Sequence, residues 1–295
     1  MLRKIDIPKE QVLFTYEVDK QIKTSMFNGM SHIYPTKKNI PFAQLGENYY
    51  LMQSHNIGEE TDFRSYEDLR GIVETLARFH KSAIDICSSN RSIADVKIRN
   101  IYDYYNKRKL ENTKLKKSIS SLKQKSSFEF MFIDGYESYN ELEEMALSSI
   151  NSKLVESVIE NVRNKRCVAH KDITYHTICR VGGDEYMIST LDKCNYDIQV
   201  LDLAQILSKI MQKNEWDSDV LYKLVEEYSK INPLAKDDLS ILKFSMIYPE
   251  KFNSICFKYM SSKRRWNYSM FEKKWESMLA YQTNQIAVAK EIIKW

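Results

Sequence analysis

The stretch Cys167-Val-Ala-His-Lys-Asp-Ile-Thr-Tyr-His-Thr-Ile-Cys-Arg180 decides the fold class of this chain. An apolar, strand-like run ends here in His170 and Asp172, with one residue between them. A second acid, Asp192, comes twenty residues later at the end of another strand-like run, and Asp202 follows after ten more. His170 and the three acids are therefore the first candidates for a functional site.

Length and composition limit the possible classes of protein. The chain has 295 residues, of which 43% are hydrophobic and 12% aromatic, and this suits one large two-lobed domain or two ordinary ones. Only seven residues are glycine, whereas average usage is about 7% of a chain. No glycine-rich, phosphate-binding loop can be assembled from them, so a Walker loop and a dinucleotide-binding fingerprint are both excluded.

Charge and cysteine usage favour a protein of the cytoplasm. The net charge of +4 is mild and does not call for nucleic acid as a partner. The five cysteines are odd in number and lack C-x-x-C spacing, which is typical of buried thiols in a reducing compartment. The start has no apolar signal segment, and no run of about 18 apolar residues occurs, so we expect neither secretion nor a membrane span.

The order of the predicted elements favours two parts of unequal size. Residues 1–56 are predicted to form a small α+β piece, with a strand, a helix and a hairpin that turns at Gly46. A polar linker at 55–63 leads into residues 57–295, which are mostly helical and contain a hairpin at 167–192. The periodicity predicts helices at about 65–83, 101–125, 138–163, 201–213, 217–231, 237–247 and 270–293.

The spacing of His170, Asp172 and Asp192 resembles the catalytic core of the aminoglycoside/choline kinase-like phosphotransferases. The resemblance implies a protein-kinase-like α+β fold, with a truncated N-terminal lobe and a large helical C-terminal lobe. It also implies roles: Asp172 accepts the proton of a substrate hydroxyl, Asp192 holds Mg²⁺ against the phosphates of ATP, and His170 braces the loop. Asp202 would be the buried acid that supports this loop. Phosphoryl transfer depends mostly on such positioning and on neutralising phosphate charge.

Two positions depart from the pattern of that family. The family has an Asn metal ligand five residues after the first Asp. This chain has Thr177 there, a doubtful ligand because its hydroxyl is neutral and its side chain is short. Lys193 directly follows Asp192 and would compete with a cation for that carboxylate. Together with the missing glycine-rich loop, these changes favour a weakened or lost catalytic centre.

A second resemblance covers nearly the whole chain. Stretches such as Gly58-Glu-Glu-Thr-Asp62 and Tyr196-Asp-Ile-Gln-Val-Leu-Asp-Leu-Ala204 look like bacterial spore coat proteins of the CotS/CotI type, a branch of the same superfamily. Aligned with that family, the chain starts at the strand that carries the ATP-binding Lys, for which Arg3 and Lys4 are the two candidates. We expect either that no earlier hairpin exists or that Met1 is internal to a longer reading frame.

Two functions are compatible with these features. The eroded motif favours a structural or assembly protein of the spore coat, without a cofactor, that is made in the cytoplasm of the mother cell and then binds other coat proteins. The retained Asp172 and Asp192 favour an active phosphotransferase that uses ATP and Mg²⁺ on a hydroxyl group of a small molecule. Residues 107–125 carry eight basic residues and one acid, so this helix is either a docking surface for an acidic protein or a solvated face.

Overall fold

The computed structural model describes residues 1–25, 27–54, 58–89, 97–262 and 268–294. The chain divides into two compact units. The first consists of Met1–Ile98, Val158–Asn214 and Asp219–Ala235, and the second of Arg99–Ser157, Glu215–Ser218 and Lys236–Trp295. The predicted lobe boundary between residues 56 and 57 lies outside the described residues and stays a prediction. The predicted linker is described from residue 58 onward.

The described residues are mainly helical. The helices are α1 (Lys9–Thr24), α2 (Tyr66–Ser82), α3 (Ile101–Ser120), α4 (Ser127–Ser149), α5 (Ser152–Lys165), α6 (Val200–Lys213), α7 (Ser218–Ile231), α8 (Lys236–Ile247), α9 (Glu250–Ser261), α10 (Tyr268–Leu279) and α11 (Gln282–Ile292). The strands are β1 (Leu2–Lys4), β2 (Ile33–Tyr34), β3 (Ala43–Leu45), β4 (Asn48–Gln53), β5 (Glu59–Glu60), β6 (Val168–Ala169), β7 (Ile178–Gly182), β8 (Glu185–Ile188) and β9 (Asn195–Tyr196). None of the described helices combines the length and the apolar character needed to cross a membrane.

An antiparallel sheet of β1 to β4 opens the first unit. β4 pairs with each of the other three strands, so Met52 lies opposite Leu2 on one side and Tyr34 on the other. Gly46 has a φ of 61° in the turn between β3 and β4, a conformation that glycine adopts without strain. The pairing of β3 with β4 confirms the hairpin predicted at this point.

Two short sheets in the first unit carry the candidate residues. β6 pairs with β9, and β7 pairs with β8 in a hairpin whose other edge is extended by β5. Gly182, with a φ of 144°, ends β7 opposite Glu185, and Gly183, with a φ of 53°, lies in the turn to β8; the pairing confirms the predicted hairpin. Helix α2 begins at Ser65, whose hydroxyl accepts a hydrogen bond from the backbone N–H of Asp68 as an N-cap.

Helices make up the second unit, and aromatic residues fill its core. The rings of Phe128, Phe132, Tyr139 and Phe252 all lie within 6 Å of the fully buried Trp275, measured between centroids. Aromatic side chains bury large areas in this way and dominate the packing of such cores. The fold of this unit is therefore set by α4, α9 and α10, which supply these rings.

Helix boundaries differ from the prediction at two breaks. The predicted helix at 138–163 is two helices, α4 and α5, because Ile150 is extended and the side chain of Asn151 accepts a hydrogen bond from the N–H of Leu154. An Asn at such a position caps a new helix. The predicted helix at 270–293 is also two, α10 and α11, separated at Tyr281, whose buried ring lies beside Trp216.

A buried acid, Glu143 on α4, lies at the centre of a polar cluster in the second unit. Its Oε1 accepts hydrogen bonds from the amides of Asn112 and Asn253, both at 2.8 Å, and from the hydroxyl of Tyr248 at 3.1 Å. Its Oε2 is buried and has no partner among the described residues. Burial raises the pKa of Glu143, and the three hydrogen bonds only partly offset this rise.

Candidate active site

Asp202 fixes the backbone of the loop that joins β6 to β7. Its buried carboxylate accepts hydrogen bonds from the N–H of His170 at 2.6 Å and from the N–H of Lys171 at 2.8 Å. The fully buried ring of His80, from α2, lies with Nε2 3.1 Å from the same carboxylate and with Nδ1 2.7 Å from the hydroxyl of Tyr228. The loop is therefore held through its backbone, by an acid on the first turn of α6.

Asp202 keeps its negative charge in this buried position. Burial by itself raises the pKa of a carboxyl group, because it removes water from the charged form. The hydrogen bond with His80 and the bond from the backbone of His170 act in the opposite direction and prevail, so the pKa of Asp202 is lowered. A charged acid that accepts backbone N–H groups is a firm anchor for a loop.

His170 joins the loop to the end of β8. Its Nε2 lies 2.6 Å from the carbonyl oxygen of Thr190, and its Nδ1 accepts a hydrogen bond from the N–H of Asp172 at 3.1 Å. Since a carbonyl can only accept, Nε2 carries the hydrogen and the ring is the neutral tautomer. Burial lowers the pKa of His170, against a smaller opposing effect of Asp202. Both ring nitrogens thus form hydrogen bonds with backbone groups, so the ring can hold the loop in place, as predicted for a structural role.

Thr177 closes the loop on itself. Its hydroxyl lies 2.8 Å from the carbonyl of Asp172, to which it donates, and it accepts a hydrogen bond from the N–H of Thr174 at 2.8 Å. Lys171, between the two motif residues, has a φ of 66°, in the left-handed region that a non-glycine residue rarely occupies. The hydroxyl oxygen of Thr177 is therefore already hydrogen-bonded to the backbone of the loop.

The side chain of Asp172 is paired with a lysine. Nζ of Lys193 lies 2.9 Å from Oδ2 of Asp172. The sequence predicted that Lys193 would compete for its neighbour Asp192, and that choice of partner is wrong. Asp192 is already held by an arginine, and the lysine reaches across to the other acid of the motif.

Arg3 is the residue of β1 that reaches the candidate site. Its guanidinium forms an ion pair with Asp192, and its Nε donates to Oε1 of Gln53 at 2.8 Å. Lys4, the other candidate for the ATP-binding position, is exposed. Successive side chains of a strand point to opposite faces, so only one of these two neighbours can face the site.

Sequence reasoning missed two polar residues of α1 that bind the segment around Asp192. Nε2 of Gln11 donates to the carbonyl of Cys194 at 2.7 Å, and the hydroxyl of Thr15 donates to the carbonyl of Leu191 at 3.3 Å. The two residues are one helical turn apart and share a face. The available signal was the i, i+4 spacing of two polar residues on a helix whose buried side chains are mostly apolar.

The residues at these positions do not fit a divalent ion in their present arrangement. Mg²⁺ requires a near-octahedral set of oxygen ligands. Asp172 and Asp192 are each paired with a cation of the chain, and the oxygen of Thr177 is bonded inside the loop. Among the described residues, no group of three or more His, Cys, Asp or Glu side chains could hold a metal ion.

Solved structures show the fold. The chain aligns with an aminoglycoside phosphotransferase from Alicyclobacillus acidocaldarius at a TM-score of 0.87 and 14% identity, covering 99% of this chain and 85% of that one. Spectinomycin phosphotransferase, solved in complex with ADP and spectinomycin, aligns at a TM-score of 0.65 and 11% identity, covering 100% and 86%. These likenesses confirm the predicted protein-kinase-like, aminoglycoside phosphotransferase-like fold class.

Sequence comparisons identify the relatives. Spore coat protein S of Bacillus subtilis (strain 168) is 18% identical over 287 residues, which are 97% of this chain and 81% of that protein. The model of a family described as "Spore coat putative kinase YutH" matches residues 2–292. Both findings confirm the resemblance to bacterial spore coat proteins.

Proposed function

We propose that this chain, which belongs to the spore coat putative kinase YutH family, is a structural component of a bacterial spore coat with a degenerate phosphotransferase site. One observation carries this proposal. Each of the two acids that would serve catalysis is neutralised by a cation of the chain itself, Asp172 by Lys193 and Asp192 by Arg3. The name of the relative, Spore coat protein S, supports the assignment to the coat.

The pairing of the two acids disfavours nucleotide chemistry. A divalent ion would have to displace Lys193 and Arg3 before it could reach either carboxylate, and Thr177 offers a hydroxyl that already binds the loop. A metal-bridged phosphate needs those oxygens free, because the metal neutralises the charge of the phosphates. Roles of Asp172 as catalytic base, Asp192 as metal ligand and Arg3 as nucleotide contact would then be relics.

A thermal-shift titration tests this part of the proposal. We expect the midpoint of unfolding to move by less than about 1 °C at millimolar Mg·ATP, since a ligand that does not bind the folded state does not stabilise it. The Asp192→Ala variant serves as the matched control. A rise of several degrees that the variant lacks would show a working site.

The docking surface we propose for other coat proteins is on α3. Lys107, Lys114 and Lys117 share one face of this helix, are exposed and form no ion pair within the described part of the chain; we term them the lysine stripe. Acids of α4 pair with two other lysines of this helix, Glu144 with Lys109 and Glu137 with Lys116. The unpaired charge is therefore confined to the lysine stripe, which suits an acidic partner.

Coat assembly in sporulating cells tests the partner. Replacing Lys114 and Lys117 with Glu should reduce incorporation into the coat, because it reverses the charge that attracts the partner. The same charge change at the exposed Lys153 and Lys273 is the control and should leave incorporation intact. The proposal also expects the tagged protein first in the cytoplasm of the mother cell and later on the spore. Equal loss in both double variants would exclude the lysine stripe as the contact.

One observation favours the second candidate function, a phosphotransferase acting on a hydroxyl group of a small molecule. The frame around the catalytic position is retained, with Asp202 and His170 holding the backbone on which Asp172 stands. A frame of this kind positions a base for a substrate hydroxyl. Under this alternative, Asp172→Asn would abolish the phenotype of the protein while reversal of the lysine stripe would not. The structural proposal expects the opposite pattern.

A further inference from the structure

The lysine stripe carries positive charge that the rest of its helix does not compensate. The other cations of α3 are already matched by acids: Arg108 pairs with Glu111, Lys109 with Glu144 and Lys116 with Glu137. The one remaining acid of the helix, Asp103, lies in its first turn. Lys107 and Lys114 are two helical turns apart on one face, so their α-carbons are separated by about 10 Å. Leu110, between them, is 57% exposed.

A surface of opposite charge lies on the sheet of β5, β7 and β8 in the first unit. Its four exposed acids, which we term the acidic edge, are Glu59 and Glu60 on β5, Asp184 in the turn between β7 and β8, and Glu185 on β8. β5 is an outer strand of this sheet, and Glu59 lies opposite Arg180 of β7. The strand and the hairpin turn therefore present their acids at one border of the sheet.

Cations of the chain compensate the charge of the acidic edge only in part. Arg180 is shared between Asp184, at 4.0 Å, and the buried Asp68, at 3.7 Å. Glu60 lies 3.4 Å from the imidazole of His176, and the other two acids of the edge form no ion pair among the described residues. The segment after β5 adds two more exposed acids and one arginine. This surface therefore keeps a net negative charge, which attracts a cationic partner.

A groove beside Glu59 gives the acidic edge a concave shape. It has a volume of about 540 Å³ and is lined by residues 58–59 and 180–183. The two glycines of the hairpin contribute no side chains to it, and a Cβ added at either would meet no atom within 4 Å. Since β5 and β8 are two strand spacings apart, the backbones of Glu59 and Glu185 are separated by about 10 Å. The first two lysines of the lysine stripe have the same separation.

We propose that the acidic edge of one copy of this chain binds the lysine stripe of a second copy. Charge complementarity identifies the partner, because the two surfaces carry opposite charges at a matching spacing. The groove has room for a lysine side chain beside Glu59, and Val181 in its lining offers an apolar contact to Leu110. Because the two surfaces differ, the contact joins copies head to tail, and each end of such a pair keeps one free surface for a further copy.

This inference rests on the proposed function, because it names the acidic partner that the lysine stripe would bind in the coat. Sedimentation of the purified full chain at several salt concentrations tests it. We expect association at about 0.05 M ionic strength, with a Kd about tenfold or more higher at about 0.5 M, since salt screens exposed charges. Lys107→Glu with Lys114→Glu should weaken association by about tenfold or more at the lower ionic strength. Glu59→Lys with Glu185→Lys should have the same effect.

A mixture of the two reversed proteins distinguishes direct pairing from a general effect of charge. The reversed stripe of one protein is complementary to the reversed edge of the other, so the mixture should associate although each protein alone does not. Lys153→Glu with Lys273→Glu, and Asp6→Lys with Glu47→Lys, make the same changes of net charge at other exposed positions. These matched controls should associate like the wild type.

The possible outcomes separate this inference from the proposed function. A wild-type chain that stays monomeric at every salt concentration overturns the inference and leaves the lysine stripe to a different acidic coat protein. Association that neither reversal weakens also overturns it, as does a mixture of the reversed proteins that fails to associate. Binding of Mg·ATP that disappears in Asp192→Ala would instead overturn the degenerate site, and it would leave the association between copies unchanged.

Discussion

Asp202 in the first unit and Glu143 in the second are both buried carboxyl groups with three hydrogen-bond partners, yet their pKa values shift in opposite directions. Asp202 uses both oxygens, receives two backbone N–H groups and contacts His80, and its pKa is lowered. Glu143 receives two side-chain amides and a hydroxyl on one oxygen, its other oxygen has no described partner, and its pKa is raised.

The two regions therefore depend on different properties of their buried acids. The loop of the candidate site is held by a charge, since charged acceptors bind backbone N–H groups about twice as strongly as neutral ones. The helical unit needs an acceptor that joins Asn112, Asn253 and Tyr248, and burial raises the pKa of the acid that provides it. Variants of the two acids should therefore differ in how much they change the free energy of unfolding and in how that change depends on pH.

The largest effect is expected at Asp202. Replacing it with Ala leaves two buried backbone N–H groups and His80 without their acceptor, and should lower the free energy of unfolding by about 3–5 kcal/mol. Asp184→Ala, at a residue whose side chain is 70% exposed, should change it by less than about 0.5 kcal/mol. Urea unfolding followed by tyrosine and tryptophan fluorescence measures both. Equal losses would show that Asp202 is no anchor.

Variants of Glu143 should distinguish its role as a hydrogen-bond acceptor from the effect of its charge. Glu143→Ala removes the acceptor from two amides and a hydroxyl and should destabilise the protein by about 3 kcal/mol. Glu143→Gln keeps the acceptor without a charge, so we expect a change within about 1 kcal/mol, measured by the same urea titrations. If Gln proved as damaging as Ala, the acid of the second unit would be acting through its charge, and the contrast with Asp202 would disappear.

The pH dependence of the two acids should have opposite sign. Folded Glu143 releases its proton above the ordinary value of 4.5, so its contribution to stability falls as the pH rises through the raised pKa. Wild type should lose stability relative to Glu143→Gln as the pH rises above about 4.5. Asp202 contributes above its ordinary value of 3.8, and its contribution falls only as the pH drops through the lowered pKa. The gap between wild type and Asp202→Asn should stay constant over the same range, in urea titrations at each pH.

The smallest effect is expected at Lys171. Its left-handed φ is easy for glycine and strained for a β-branched residue, so Lys171→Gly should stay within about 1 kcal/mol of wild type. Lys171→Val should lose about 1–2 kcal/mol in the same unfolding assay. A larger loss in the Gly variant than in the Val variant would show that the ion pair of Lys171 with Asp197 matters more than the backbone that Asp202 holds.

Much of the fold follows from local signals in the sequence. The turns at Gly46 and Gly183 place two hairpins, because glycine alone adopts their positive φ values at no strain. The break between α4 and α5 was missed because Asn151 acts as a helix cap between two segments with continuous apolar periodicity. Whether an Asn within such a pattern caps a helix depends on the packing of both helices, which the pattern does not contain.

The sequence suggested which residues to consider for the candidate site but not which ion pairs they form. The motif spacing picked out His170, Asp172, Asp192 and Asp202, which hydrogen bonds link to one another directly or through Thr190, and their roles stay predictions. To choose between Arg3 and Lys4, one must know which face of β1 points to the site. To identify the partner of Lys193, one must know its distance to Asp172. Pairings between residues far apart in sequence depend on tertiary geometry, which neither spacing nor composition specifies.

The anchoring of the loop by backbone N–H groups has a consequence for how this family can diverge. Asp202 binds atoms that every residue except proline possesses, so this anchor does not depend on which side chains stand at positions 170 and 171. The carboxylate of Asp172 takes no part in this anchor, so the candidate catalytic side chain can be replaced while the hydrogen bonds of Asp202 remain.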